Sequence, residues 1–239
     1  MKKLVLMVVA LAWLMTSCGT KQAQMQNVRS FEHVFIFGNK HTDVFITQNK
    51  EGHQVGITGN QENVHMYMRH DTLYVEDLAL SKKSHYAIHL AAPHYSSICV
   101  SDVDRFASTD TIRQDTISLS SMLTKRVEMA LDVQKLSTVR GLDARKAVLR
   151  GRANTANINT RYTDKMTLDA LDLQVKNMHL TAFFTFAELN VAEQLWLDEA
   201  LESNIIYVGT PEVMNCKMRF SNMKNPMVYT WRNQLFERL

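Results

Sequence analysis

From Glu32 onward the apolar residues alternate with polar ones. Val34 and Ile36 point one way, then Val44 and Ile46, then Val55 and Ile57. Val64, Met66 and Met68 follow, then Leu73 and Val75, then Tyr86, Ile88 and Leu90. Successive side chains of a strand project to opposite faces, so this period of two predicts strands with one buried face. Turn residues separate the runs: Gly38-Asn39, Asn49 to Gly52, Gly59-Asn60 and His70-Asp71. Residues 30–92 are therefore expected to form antiparallel or meandering strands.

Beyond Tyr95 the pattern repeats. Five short triplets recur, namely Val127/Met129/Leu131, Ala147/Leu149/Gly151, Met166/Leu168/Ala170, Ala187/Leu189/Val191 and Ile205/Tyr207/Gly209. Their starts lie 20, 19, 21 and 18 residues apart. A second strand-like piece precedes several of them, at Ile117/Leu119, Val139, Ile158 and Leu180. A period near twenty built of short strands and turns indicates a solenoid, because a single turn cannot bury its own apolar face. The expectation is an all-β chain: a right-handed parallel β-helix of about six short coils over residues 93–213, preceded by the antiparallel strands. A β-sandwich is the competing architecture, but Asn-Gly and Asp-Gly hairpin pairs are absent from residues 95–208. Open solenoid ends expose unpaired strand edges. The strands before residue 92 are expected to cap one end, and residues 214–239, with Trp231 and Phe236, the other.

The first residues follow another rule. Met1-Lys2-Lys3 precedes an apolar run from Leu4 to Met15, too short for a bilayer core of roughly 30 Å and proportioned like a secretory signal. Thr16-Ser17 leads into Cys18, an arrangement that resembles a bacterial lipobox, with Met15 where that motif usually carries Leu or Val. Residues 1–17 are thus expected to be a lipoprotein signal peptide and Cys18 the lipid-attachment residue. Residues 18–29, polar and Gln-rich, read as a tether. The alternative is an ordinary secretion signal with an incidental cysteine. Gly19-Thr20-Lys21-Gln22 lacks the acidic run carried by some surface-exported lipoproteins. That tilts the expectation toward the periplasmic face of an outer membrane.

Losing Lys2 and Lys3 with the signal lowers the formal net charge from +3 to +1. No polybasic block exists, which argues against nucleic acid as a partner. Cys99 and Cys216 remain, and single thiols are favoured over a disulfide.

At this point the residues resemble a family. Val34-Phe35-Ile36, Asp43-Val44-Phe45-Ile46, Gln54 to Asn60 and Asp71 to Val75 look like its opening, and Ile205 to Val213 is similar to its terminal Tyr-x-Gly-x-Pro piece. Residues 30–215 resemble the family described as putative auto-transporter adhesin, head GIN domain. The resemblance implies a β-helical fold and an envelope location, and its name suggests adhesion; no catalytic or binding residues come with it. Family coils tend to carry a Ser-Gly pair at a repeated turn. Here Arg140-Gly141 and Arg150-Gly151 stand at two turns, and Ser121-Met122 and Thr160-Arg161 at others.

Candidate chemistry is sparse. His85 and His89 are expected on one exposed face about 13 Å apart, too far to share a metal ion, with His94 nearby. Asp102 and Asp104 point the same way on a strand. Asp143, Asp164, Asp169 and Asp172 fall at different repeat positions, so clustered carboxylates for a polysaccharide-cleaving enzyme are not expected. Lys125, Arg126, Arg145, Lys146 and Lys165 fall just ahead of the triplets and would stack as a basic ladder. Solvated turns are the plain interpretation, and an anion-binding groove for a glycan the sharper one. Phe184 and Phe186 share a face opposite Phe183, and one set is expected in the core. No cofactor is implied. The chain is expected to be a non-enzymatic envelope lipoprotein, held to a membrane through Cys18, that presents a β-helical surface to a glycan or an envelope protein. The alternatives are a polysaccharide-active enzyme on the same fold and a periplasmic partner in envelope stress signalling.

Overall fold

The computed structural model describes residues 23–59, 63–77, 85–214 and 216–226, and the side chains of all of these except 162–164. The signal peptide, Cys18 and the end of the chain from residue 227, including Trp231 and Phe236, lie outside them. The described residues are nearly all β, as expected. They form fourteen strands in one sheet.

The short strands come first: β1 (Gln26–Asn27), β2 (His33–Phe37), β3 (Thr42–Gln48), β4 (Gln54–Gly59), β5 (Val64–Arg69), β6 (Thr72–Asp77), β7 (Tyr86–Ala92) and β8 (Ser97–Ser101). Two very long ladders follow, β9 (Arg105–Ser137) and β10 (Leu142–Leu201). Then come β11 (Asn204–Val208), β12 (Glu212–Met214), β13 (Met218–Arg219) and β14 (Asn222–Lys224). β9 and β10 run through several coils because their corners also stay paired to neighbouring coils. From Ala147↔Val127 to Gly151↔Leu131 the register holds without a break.

The repeat is the parallel stack that the triplets predict. Ala147 pairs with Val127, and Ala187 with Ile205. All four are buried, as are Leu149, Met129 and Leu189. The coil length varies along the chain: Ser97 pairs with Ser118, Ala147 with Val127 and Ala187 with Ile205, which is 21, 20 and 18 residues per turn. Inward residues fuse into one core from Phe31 to Ile205. Each fully buried Val, Leu or Ile contributes about 1.5–3 kcal/mol, and no single coil could supply this alone.

Antiparallel pairs join β1 to β4, β4 to β7 and β5 to β6. β2 and β3 behave differently. β2 lies in parallel between β6 and β8, and β3 in parallel between β7 and β9. The first coil of the chain is therefore the second in the stack. Alternation gives the buried face of a strand but is the same for either direction of pairing, so it could not reveal this insertion.

Three local expectations are corrected. Met66 is exposed, because β5 is the edge strand and among the described residues has only β6 beside it. Val139 is exposed in a turn closed by the Gly141 amide donating to the Thr138 carbonyl at 2.9 Å. None of Phe183, Phe184 and Phe186 enters the core. Phe184 sits at φ +52°, which breaks the alternation, so that Ala182, Thr185 and Ala187 point inward instead.

Candidate functional site

In each coil the residue just ahead of the first inward side chain faces solvent. The register stacks these residues into a row parallel to the solenoid axis. From the N-terminal side it reads Arg105, Arg126, Lys146, Lys165, Phe186, Asn204 and Asn222, all exposed. Each precedes a core or core-packed residue: Phe106, Val127, Ala147, Met166, Ala187, Ile205 and Met223. Arg126 pairs with Lys146, Phe186 with Asn204, and Asn204 with Asn222. Lys165 and Phe186 line one cavity. Adjacent members are one coil apart, about 4.8 Å.

A second row lies beside it at a corner. Asp102, Leu123, Phe184, Glu202 and Phe220 all have φ between +47° and +54°. This left-handed conformation costs a residue with a Cβ about 1–2 kcal/mol. Hydroxyls directly after the corner hold it. The Thr185 amide donates to Ser203 Oγ and the Ser203 amide to Ser221 Oγ, both at 3.0 Å. Ser203 Oγ in turn donates to the Ala182 carbonyl at 3.1 Å. At these corners the buried Thr185 and Ser203 amides are thus satisfied by a hydroxyl of the next coil.

The five predicted basic residues separate into two groups. Lys125 is held by Asp104 at 2.8 Å, and Arg126 by Glu128 at 2.5 Å. Arg105, which the sequence reading left out, also reaches Glu128 at 2.5 Å and lies 5.5 Å above the Phe45 ring. Arg145, Lys146 and Lys165 have no ion-pair partner among the described residues. All five carry their heads into solvent on one side of the solenoid, where exposed pairs contribute roughly 0–1 kcal/mol each.

Two cavities open along this side. The first, of about 380 Å³, brings together Lys40, Asp102, Asp104, Lys125 and Arg145. Asp143 lies one coil on; burial pushes its carboxyl above the ordinary value, against a hydrogen bond from the Leu123 backbone. Asp172 is elsewhere, 3.7 Å from Arg150, and the side chain of Asp164 is outside those described. The second cavity, of about 650 Å³, is a longer groove between the two rows. Phe184, Phe186 and Phe220 supply its rings, Lys165 and Glu202 its charges, and Asn204 and Asn222 its amides. The Asn222 amide donates to Asn204 Oδ1 at 3.3 Å, leaving the Asn204 NH₂ and the Asn222 oxygen for an incoming group. The position ahead of each triplet past Lys165 is Phe186 and then Asn204, and one further step of 18 residues leads to Asn222. Phe220 could not be found that way, since it owes its place to a left-handed corner.

The histidines do not converge. His85 is exposed, 3.6 Å from Asp43. His89, expected to be exposed, is half-buried: parallel pairing places Phe45 beside it, with ring centroids 5.2 Å apart. Burial lowers its pKa. No three His, Cys, Asp or Glu side chains among the described residues are grouped as metal ligands. Cys99 and Cys216 are both free thiols, the first half-buried and the second exposed.

Comparison with known proteins adds the following. The family model described as putative auto-transporter adhesin, head GIN domain, matches residues 31–211. A crystal structure of a putative adhesin from Bacteroides fragilis NCTC 9343 superposes with a TM-score of 0.73 at 16% identity, covering 87% of this chain and 98% of that one. A putative adhesin from Parabacteroides distasonis ATCC 8503 gives 0.58 at 12% identity, over 85% and 96% of the two chains. A structure from the same organism, described as a putative lipid binding protein, gives 0.57 at 11% identity, over 87% and 98%. These likenesses establish the fold. No curated protein matches the chain.

Proposed function

We propose, because the chain belongs to the putative auto-transporter adhesin, head GIN domain family, that it is a non-enzymatic adhesion-type protein of the cell envelope, anchored through lipid on Cys18 and binding with the exposed side of its solenoid. The observation that carries this reading is the row from Arg105 to Asn222. A rigid core holds one outward side chain per coil at a fixed spacing, which suits recognition of an extended partner. Backbone ladders on both sides of each coil leave little to reorganise on binding, so little ordering entropy is lost.

The anchor rests on the sequence Thr16-Ser17-Cys18 behind an apolar run. Several acyl chains at about 0.8 kcal/mol per buried CH₂ give stable attachment, where one would be marginal. Cys18→Ser is expected to move the protein from the membrane pellet to the soluble fraction; retention in the pellet would refute the anchor. Protease shaving of intact cells then separates the two faces of the membrane. The residues after Cys18 favour protection, and with it a periplasmic partner such as a glycan or an envelope protein.

A glycan-cleaving enzyme is the second reading. It rests on the cavity where Asp102, Asp104, Lys125 and Arg145 meet. Asp104 holds Lys125 in an ion pair at 2.8 Å, so that amine is engaged by a carboxylate rather than free to approach a substrate proton. Release of unsaturated or reducing ends from acidic polysaccharide by the purified chain would favour it.

A further inference from the structure

We propose that the groove between the two rows binds an acidic oligosaccharide, with its carboxylates on Lys146 and Lys165 and its sugar rings against Phe186, Phe184 and Phe220. This rests on the adhesion-type reading above and supplies its ligand class.

Four observations lead there. First, the order of chemistry along the axis is cation, cation, ring, amide, amide, one per coil: Lys146, Lys165, Phe186, Asn204, Asn222. A spacing of about 4.8 Å is close to the length of one pyranose unit in a chain. A polysaccharide can therefore meet successive coils with successive sugars. Second, Lys146 and Lys165 have no acidic partner among the described residues, whereas Arg105, Lys125 and Arg126 do. Lys165 lines the groove and Lys146 precedes it in the row, and a carboxylate would complete both.

Third, the apolar side chains are held outward at a cost. Phe184 and Phe220 occupy left-handed corners, where glycine would be accommodated without strain. Phe220 is nevertheless 89% exposed. Strain retained at exposed residues points to a use for them. Aromatic faces present apolar area at low entropic cost and stack on the C–H face of a pyranose. Fourth, rings and polar groups interleave residue by residue. Asn204 offers donors and Asn222 an acceptor, with Glu202 beside them, which suits vicinal hydroxyls. A protein partner would be better served by a contiguous apolar patch. A nucleic acid would need many more cations than Lys146 and Lys165.

The test uses the full chain in detergent, with hexagalacturonate and a sialylated hexasaccharide as acidic probes and maltohexaose as the neutral control. Titration calorimetry is expected to show binding of an acidic probe that weakens with added salt, and little binding of maltohexaose. K146A/K165A and F186A/F220A should each weaken it about tenfold or more, as expected for a lost charge-assisted contact or a lost stacking pair. Melting temperatures should stay at the wild-type value, because all four side chains are exposed. The proposal is overturned if neither acidic probe binds, if maltohexaose binds as well, or if either double variant binds as the parent does. It is also overturned if binding appears only after removal of residues 227–239, which would make the chain's own C-terminal segment the occupant. Adhesion to immobilised envelope fractions distinguishes the two readings. Wild-type adhesion that both variants retain removes this groove and leaves the adhesion-type function standing. No adhesion by the wild-type chain removes the function itself.

Discussion

Replacing Gly151 with Ala is expected to destabilise the solenoid by about 2–4 kcal/mol, although it adds a single methyl group. Gly151 ends the second repeating triplet and has φ +103°. A Cβ there would lie 1.9 Å from the Leu131 carbonyl oxygen one coil back. Two costs add. Holding an L-residue at positive φ costs about 1–2 kcal/mol. Relieving the contact requires moving the Leu131 backbone, which is paired to Gly151, and forced shifts in a packed interior cost about 1–3 kcal/mol. The stiffer unfolded chain returns about 0.4–1 kcal/mol. For a domain of this size each kcal/mol moves the melting midpoint by about 2–4 °C, so the net loss should lower it by about 10 °C. Thermal melting by far-ultraviolet circular dichroism, supported by urea unfolding at constant m-value, measures this. Gly52→Ala is the internal control, because nothing lies within 4 Å of its would-be Cβ at φ +133°, which leaves only the backbone cost. If Gly151→Ala loses less than about 1 kcal/mol, or no more than Gly52→Ala, the close coil-to-coil approach inferred here is wrong.

Other outcomes follow from burial and charge. His89 has its pKa lowered by burial against Phe45, so the folded state holds the neutral ring. The unfolded state then takes up more protons, and stability should be complete above the ordinary histidine pKa of about 6.5 and fall as pH drops below it. His89→Gln should flatten that part of the pH–stability curve; an unchanged slope would show that His89 is not its source. Cys216 is exposed, while Cys99 is half-buried with its thiol pKa raised by burial, against a lowering by Arg140. Iodoacetamide should modify Cys216 well before Cys99 in the native chain and both alike in urea, as peptide mass mapping would show; equal native rates would contradict the burial of Cys99. Leu123→Gly removes an exposed side chain from a left-handed corner and should leave stability unchanged or raise it by up to about 1 kcal/mol, whereas a loss of that size would mean the side chain is packed.

The repeat was legible because burial alone writes it. Val127, Ala147, Ala187 and Ile205 are apolar at the repeat position, and Val127 pairs with Ala147 and Ala187 with Ile205 in the register the repeat implies. Three features escaped, for separate physical reasons. Alternation is blind to strand direction, so the parallel insertion of β2 and β3 left no trace in the pattern. A residue at positive φ adds a position without adding an inward side chain, so the trio Phe183, Phe184 and Phe186 lost its phase at Phe184. The basic ladder was found as a set of like charges, but its division into paired and unpaired members depends on side-chain reach: Asp104 and Glu128 lie within it for Lys125 and Arg126. The aromatic and amide half of the row belongs to the same repeat position. Charge marks only the first members of that row, and Phe186, Asn204 and Asn222 carry none.

The insertion of β2 and β3 also decides how the molecule would respond to being pulled. Tension entering from the N-terminal side first meets β1, a two-residue strand held, among the described residues, by β4 alone. The next strand lies between β6 and β8, and the one after it between β7 and β9. An end coil could be peeled away one hydrogen bond at a time. An interior coil has to break both of its ladders together and shear past neighbours on either side, while the core residues Val34, Ile36, Val44 and Ile46 leave the interior with it. A chain tethered at its N-terminus and gripping something with its far coils would thus give up β1 first and then carry force through a coil enclosed on both sides.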